Sequence, residues 1–285
     1  MVYEAPTTLD DAVALMAGQK GDVRLLAGGT DVLVQMHSDL IEPALIVDIK
    51  NIPELNAIAA EGGGYRFGAA VSSTDLVGHA DFAKTWPGVI DGVKLIGSIQ
   101  IKNRASVGGN LCNASPAADS VPPMITAGAV ARIFGPKGGR EVPVEDIITG
   151  PGQTSLAPDE LVVSFLLPKR LPNSGDAYLR FIPRTEMDIA VAGAAINLTL
   201  DKGGVCSAAR VSLGAVAATP LLVGEAADAL IGTKVDNEAL EALAAACSAA
   251  AQPIDDKRGT KEYRIEIVGV LAKRAAAIAA DRAKS

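Results

Sequence analysis

Apolar residues at Ala12, Val13, Leu15 and Met16 recur at helical spacing, and Thr8-Leu9-Asp10-Asp11 before them has the form of a capping box. A helix is therefore predicted from Thr8 to a stop at Gly18. Val23 to Leu26 reads as a short buried strand, Val32 to Met36 as a helix and Ala44 to Ile49 as a further strand. Asn51-Ile52-Pro53-Glu54 then turns the chain, closing a βαβ-like lobe near residue 57. A second lobe opens with a strand over Tyr65 to Val71 and a helix capped by Ser72 or Ser73. Trp86-Pro87-Gly88 interrupts the chain before a helical stretch from Val89 to Ile96, with Val89, Val93 and Ile96 as its apolar positions. Strands are predicted at 129–134 and 161–167, with Gly150-Pro151-Gly152 as a surface turn between them.

The pattern changes after Pro168 to Asp176, a stretch holding two prolines with Asn, Ser and Gly that reads as a linker. Beyond it, 177–182, 190–200 and 205–217 alternate as three antiparallel strands, with Asp201-Lys202-Gly203-Gly204 as a hairpin turn. Helical patterns then cover 221–230, 237–251 and 262–282. The expected organisation is an α/β domain over 1–171, with lobes 1–57 and 58–171, and a second domain over 177–285. That second domain is a three-stranded antiparallel sheet with a three-helix bundle, so the fold class is α+β.

Composition narrows the function. The chain has 285 residues, 49% apolar and 21% charged, which is a globular composition with ample core. A net charge of −7, from 26 basic against 33 acidic residues, argues against a nucleic-acid face or a membrane-surface role. Aromatic content of 4% gives little for stacking bases. No apolar run is long enough for a transmembrane helix, and no signal-peptide pattern is visible, so a cytoplasmic protein with reduced thiols is expected. Cys112, Cys206 and Cys247 lie far apart, and an iron–sulfur cluster needs four thiolates. His37 and His79 make no zinc set.

Two paired glycines carry the candidate chemistry: Ala27-Gly28-Gly29-Thr30-Asp31, and Ser106-Val107-Gly108-Gly109-Asn110. Glycine lets backbone N–H groups approach a ligand closely, and successive N–H groups in a tight bend form an anion-binding nest. Two such loops face to face suit a diphosphate. Neither matches the three-glycine dinucleotide fingerprint or the phosphate-binding loop with its lysine, and either is equally readable as an ordinary turn.

Taken together, the first loop, Ile101-Lys102-Asn103-Arg104-Ala105-Ser106-Val107-Gly108-Gly109-Asn110-Leu111, and Ala114-Ser115-Pro116-Ala117-Ala118-Asp119 resemble the FAD-binding medium subunit of the molybdenum hydroxylases. That family includes the flavoprotein subunits of xanthine dehydrogenase and aerobic carbon monoxide dehydrogenase. The resemblance runs in order over nearly the whole chain. It implies a two-lobed FAD-binding domain of the PCMH/vanillyl-alcohol-oxidase type, followed by the C-terminal flavoprotein domain. It also implies that both glycine loops hold the FAD diphosphate, with Gly28, Gly29, Gly108 and Gly109 as close-approach backbone and Thr30, Ser106 and Asn110 as donors, and that Leu25, Ala27 and Asp31 belong to the cofactor site.

By the same resemblance, Asp119 accepts hydroxyl groups of the cofactor, whereas Asp31 and Asp119 also read as helix caps. Ile96, Gly97 and Val162 align with residues lining the flavin ring and are equally good core residues. Arg180 stands where relatives often carry a lysine that reaches the flavin; it keeps the charge but replaces a point with a planar fork. Arg184-Thr185-Glu186-Met187-Asp188-Ile189-Ala190 matches the loop beside the isoalloxazine, with Asp188 expected as an anchor. Arg258 to Arg264 matches a C-terminal signature and reads as a helix entry capped by Thr260. Cys112 reads as a buried small residue. Neither histidine occupies an attachment position, so FAD is expected to be non-covalent.

The resemblance implies an electron-transfer subunit of an oxidoreductase. Its partners would be a small [2Fe-2S] subunit and a large subunit with the molybdenum cofactor, in a dimer of heterotrimers. The carbon monoxide enzymes commonly carry histidine and serine where this chain has Thr30-Asp31, which disfavours carbon monoxide as the substrate. Two alternatives stand: a self-sufficient FAD-dependent oxidase or dehydrogenase of the same fold, and a non-enzymatic binding module.

Overall fold

The computed structural model describes residues 1–285. Its first lobe is a three-stranded parallel sheet in which Leu45–Asp48 lies between Val2–Glu4 and Val23–Leu26. The helix Leu9–Gly18 packs on it, and the Thr8 hydroxyl accepts the Asp11 N–H at 3.2 Å, as the capping box requires. The central strand is wholly buried. Val23–Leu26 is only half-buried, against the expectation, because it lines a cleft. Val2–Glu4 is an exposed edge strand of three residues, too short for alternation to reveal it.

The second lobe is an antiparallel sheet of five strands in the order Ile58–Glu61, Gly64–Gly68, Leu161–Leu167, Val130–Gly135, Gly138–Pro143. Its centre is filled by Leu161–Leu167, which serves two cores. Leu161 and Val163 pack with Ala12, Val47 and Ile52 of the first lobe, while Val162, Phe165 and Leu167 pack with Phe67, Phe82 and Ile133 of the second. Side chains alternate strictly along a strand, so serving both sides in this order needs an extra residue. The pairing with Val130–Gly135 does shift register between Val162 and Ser164.

Helical details differ from the sequence reading at three places. Pro87 opens the helix Pro87–Val93, its missing N–H being one that a first turn leaves unpaired anyway. Ile96 lies past that helix, and the polar stretch after it forms one helical turn, Ile99–Lys102, capped by Ser98. Gly108 and Gly109 sit in the first turns of the helix Val107–Cys112, not in a bend.

The C-terminal sheet has four strands rather than three: Ser174–Phe181, Ala192–Leu200, Cys206–Gly214 and Leu221–Leu222, in that order and antiparallel. Leu221–Leu222 pairs with Ser212 and Leu213, so the helix expected over 221–230 shrinks to Gly224–Asp228. The linker also shortens, since Ser174 to Asp176 belong to the first strand. Its helices form a layer more than a bundle. Lys261–Ala283 lies on the first two strands and Asn237–Ala250 packs against it. Gly175 passes so close to the Ala279 carbonyl that a Cβ has no room. The helices Pro87–Val93 and Val121–Thr126 also contact this sheet. No helix is long and apolar enough to cross a membrane.

Candidate functional site

A cavity of about 380 Å³ lies between the two lobes, a size typical of small-molecule sites. The strand Val23–Leu26 runs into it and hands the chain to the helix Val32–His37 through the first glycine pair. Gly29 holds φ of +79°, a left-handed conformation that strains any residue with a Cβ. Gly28 has a different reason to be glycine: a Cβ there would collide with the Arg104 carbonyl and come within 2.9 Å of the Ala105 Cα. That contact seats the first loop on the chain leading into the second. Gly108 does the same against the Ala69 carbonyl oxygen. Gly109 has an ordinary φ, and a Cβ there would meet only the Ser106 hydroxyl, at 3.3 Å.

The run of free backbone donors lies in the first loop. The N–H groups of Gly28, Gly29, Thr30, Asp31 and Val32 meet no acceptor in the chain. In the second loop Gly108 N–H donates to the Ala69 carbonyl at 3.2 Å, Gly109 N–H to the Ser106 hydroxyl at 3.1 Å, and Asn110 N–H to the Ser106 carbonyl at 3.0 Å. A run of unpaired amides, with glycine at its turn, is a nest for an anion. Arg24 is the cationic side chain on the cavity wall, and it pairs with Asp22 at 2.9 Å.

The remaining wall is polar at one place and apolar at another. Burial raises the Asp31 carboxyl, which does not cap the helix it precedes; it accepts instead from the Asn113 amide at 3.4 Å. Asn113 in turn accepts from Gln35 at 3.2 Å. Met16, Val23, Leu25, Ile49, Leu156 and Val162 supply an apolar surface. Glu160 closes this end: Arg140 donates to it at 2.7 and 2.8 Å and the Ala157 N–H at 2.9 Å, holding its carboxyl down to about 2. Cys112 is exposed to the cleft, and the packed surroundings push its thiol up to about 12, away from nucleophilic use.

The structure thus brings Leu25, Ala27, Gly28, Gly29, Thr30 and Asp31 together with Ile96, Ser106, Gly108, Gly109, Asn110 and Val162 around one cavity. Gly97, Asp119 and Arg180 do not line it. Gly97 turns the chain after Ile96 with φ of +57°. Asp119 and Arg180 form a buried ion pair with each other, and the Tyr178 hydroxyl donates to Asp119 at 2.8 Å. Burial pushes the Asp119 carboxyl up to about 6, against the pull of Arg180 and Tyr178. Nor does Asp119 cap Val121–Thr126, which Ser120 precedes without a side-chain cap.

Asp188 anchors its loop, accepting from Ile189 N–H at 2.8 Å and from Arg184 and Arg258 at 3.3 Å each. Burial opposes its ionisation, but these donors outweigh it and lower the carboxyl. His79 caps a helix through Nδ1, and Thr260 caps Lys261–Ala283. No group of His, Cys, Asp and Glu is arranged to hold a metal. Gln35, Asn113 and the segment Thr154 to Glu160 were not legible as site residues, because no local motif marks them; pairing of Gln153–Thr154 with Ile148–Gly150 and the Arg140–Glu160 bonds hold that segment at the cleft.

An unpaired amide run beside an apolar surface fits an extended ligand with an anionic centre and a flat apolar end. Comparison with known proteins agrees. Residues 1–170 match the FAD binding domain in molybdopterin dehydrogenase, and residues 177–279 match the CO dehydrogenase flavoprotein C-terminal domain. The chain is 34% identical over 274 residues to the putative xanthine dehydrogenase FAD-binding subunit of Escherichia coli strain K12, covering 95% of this chain and 93% of the relative. It is 35% identical over 283 residues to the carbon monoxide dehydrogenase medium chain of Afipia carboxidovorans, covering 99% and 98%. Among solved structures, it superposes with a TM-score of 0.95 on a chain of the reconstituted CO dehydrogenase from Oligotropha carboxidovorans, 35% identical over 99% of this chain and 98% of that one. For quinoline 2-oxidoreductase from Pseudomonas putida 86 the TM-score is 0.92 at 28% identity, covering 100% and 98%. On these grounds the chain belongs to the family of FAD-binding medium subunits of the molybdenum hydroxylases.

Proposed function

We propose that the chain binds one FAD non-covalently in the interlobe cavity and acts as the electron-transfer subunit of a molybdenum hydroxylase. The observation that carries the placement is the run of unpaired N–H groups from Gly28 to Val32. Those amides would hold the diphosphate, with Thr30, Ser106 and Asn110 as side-chain donors. Leu25, Ile96 and Val162 would supply apolar contact, with Gly97 shaping the turn beside Ile96. Asp119 and Arg180 would act from outside the cavity wall. When bound, FAD accepts electrons from a donor and passes them to an external acceptor. The protein's part is to hold the cofactor and leave it within reach of both.

The partners we propose are a small [2Fe-2S] subunit and a large molybdenum-cofactor subunit, assembled as a dimer of heterotrimers in the cytoplasm. The proposed domain division is 1–171, split at residue 57, and 177–285. A self-sufficient oxidase would need a base at its own substrate, and the carboxylates on the cavity wall are engaged: Asp31 by Asn113 and Glu160 by Arg140. This favours the subunit reading. The purified chain should absorb near 450 nm, and acid precipitation should leave yellow FAD in the supernatant. A colourless native protein, or colour kept in the pellet, would count against it.

A further inference from the structure

Two hydrogen bonds, joined by the peptide between Asp119 and Ser120, link the C-terminal sheet to the cavity wall. Tyr178 and Arg180, two residues apart on Ser174–Phe181, project on one face of that strand, and both bond to Asp119. Arg180 pairs across the sheet with Gly193, and a Cβ at Gly193 would collide with the Tyr178 hydroxyl. The neighbouring strand is therefore kept bare where that hydroxyl sits. Tyr178 is 3% exposed and Asp119 6%, so this bond is shielded from water. The next residue, Ser120, is fully buried, and its hydroxyl donates to Asn110 Oδ1 at 2.7 Å. Asn110 lines the cavity.

A carboxamide has one oxygen that accepts and one NH2 that donates. With its oxygen facing the Ser120 hydroxyl, Asn110 has its NH2 left for a ligand. We propose that Ser120 and Tyr178, acting through Asp119, are positioning residues that commit the Asn110 amide to donate into the cavity, toward the diphosphate of the cofactor. This rests on the reading of the cavity as the FAD site. It gives the C-terminal sheet an indirect part in cofactor binding, although that sheet supplies no residue to the cavity wall.

The test uses the full chain, with FAD and ADP as probes, the phosphorus-31 spectrum of bound FAD, and the melting temperature of the cofactor-free protein. Ser120→Ala frees the amide to turn its oxygen inward. It should weaken FAD and ADP alike by about 3- to 10-fold, the worth of one hydrogen bond, and shift the diphosphate resonances. Tyr178→Phe should give a smaller loss in the same direction, and the double variant no more loss than Ser120→Ala alone, because both act through one path. Wild-type affinity with unmoved resonances in both variants would overturn the inference. Weaker binding with unmoved resonances and a lower melting temperature would also overturn it, reducing both residues to a structural role. If the wild-type chain binds no FAD, the functional reading itself fails, a result distinct from both.

Discussion

Gly109 is the residue at which the site can be probed with least damage to the fold. Its φ is ordinary, so a side chain brings no left-handed strain, and a Cβ there faces the Ser106 hydroxyl and open space. Gly109→Val should therefore leave the melting temperature of the cofactor-free chain nearly unchanged while abolishing bound FAD. Gly108→Ala should do the reverse, destabilising the chain by about 1–3 kcal/mol through its collision with the Ala69 carbonyl. Flavin content per chain and thermal melts separate the two. Equal flavin content in Gly109→Val and wild type would remove the second loop from the site. Both glycine pairs were visible in the sequence as points of close backbone approach. Which member of each pair packs against protein was not, because Arg104 and Ala69, the obstacles that decide it, come from other segments.

At the scale of elements, most helices and strands lie where hydrophobic period placed them, since a half-buried strand or helix shows its face in its own sequence. The exceptions have physical causes. Gly138–Pro143 is an exposed edge strand with little alternation. Leu221–Leu222 is too short to show any and borrows its pairing from Ser212 and Leu213. Leu161–Leu167 is apolar on both sides because it serves two cores, so its bulge left no mark in the pattern. The segment preceding it at the cleft is pinned by Glu160. That carboxyl is held at about 2, below its ordinary 4.5, by the Arg140 hydrogen bonds first and the Ala157 N–H second. A depressed carboxylate adds stability that is fully present above its unfolded value and is lost as pH falls through its folded value. The pin should therefore weaken between about pH 4.5 and 2. Arg140 is 41% exposed, so solvent screening limits the contribution to about 1 kcal/mol or less. Protection of the 155–160 amides, relative to the intrinsic exchange rate at each pH, should fall across this window in the wild type and already be lower at neutral pH in Arg140→Gln. Protection that stays constant across the window would contradict the pinning role.

Across the whole molecule, ion pairs tie the C-terminal sheet and its helices to the FAD-binding part. Arg170 pairs with Asp176 at 2.8 Å, Arg282 with Asp91 at 2.6 Å and Arg210 with Glu145 at 2.7 Å, alongside Asp119 and Arg180. None of these pairs was legible in the sequence, where Asp176 read as the end of a linker; its burial depends on the Gly88 N–H arriving from elsewhere and on Arg170 of the same stretch folding back onto it. The family, by contrast, was legible, because its three motifs keep their order and spacing along one chain. The proposed role, relaying electrons without handling substrate, is addressed by one anaerobic experiment. The FAD-loaded full chain is mixed with its purified cluster-bearing partner, chemically reduced beforehand, and absorbance near 450 nm is followed. The flavin should bleach with the reduced partner and stay oxidised when the lone chain meets organic substrates. Flavin that ignored the reduced partner, yet bleached at an enzymic rate with an organic substrate alone, would contradict the account.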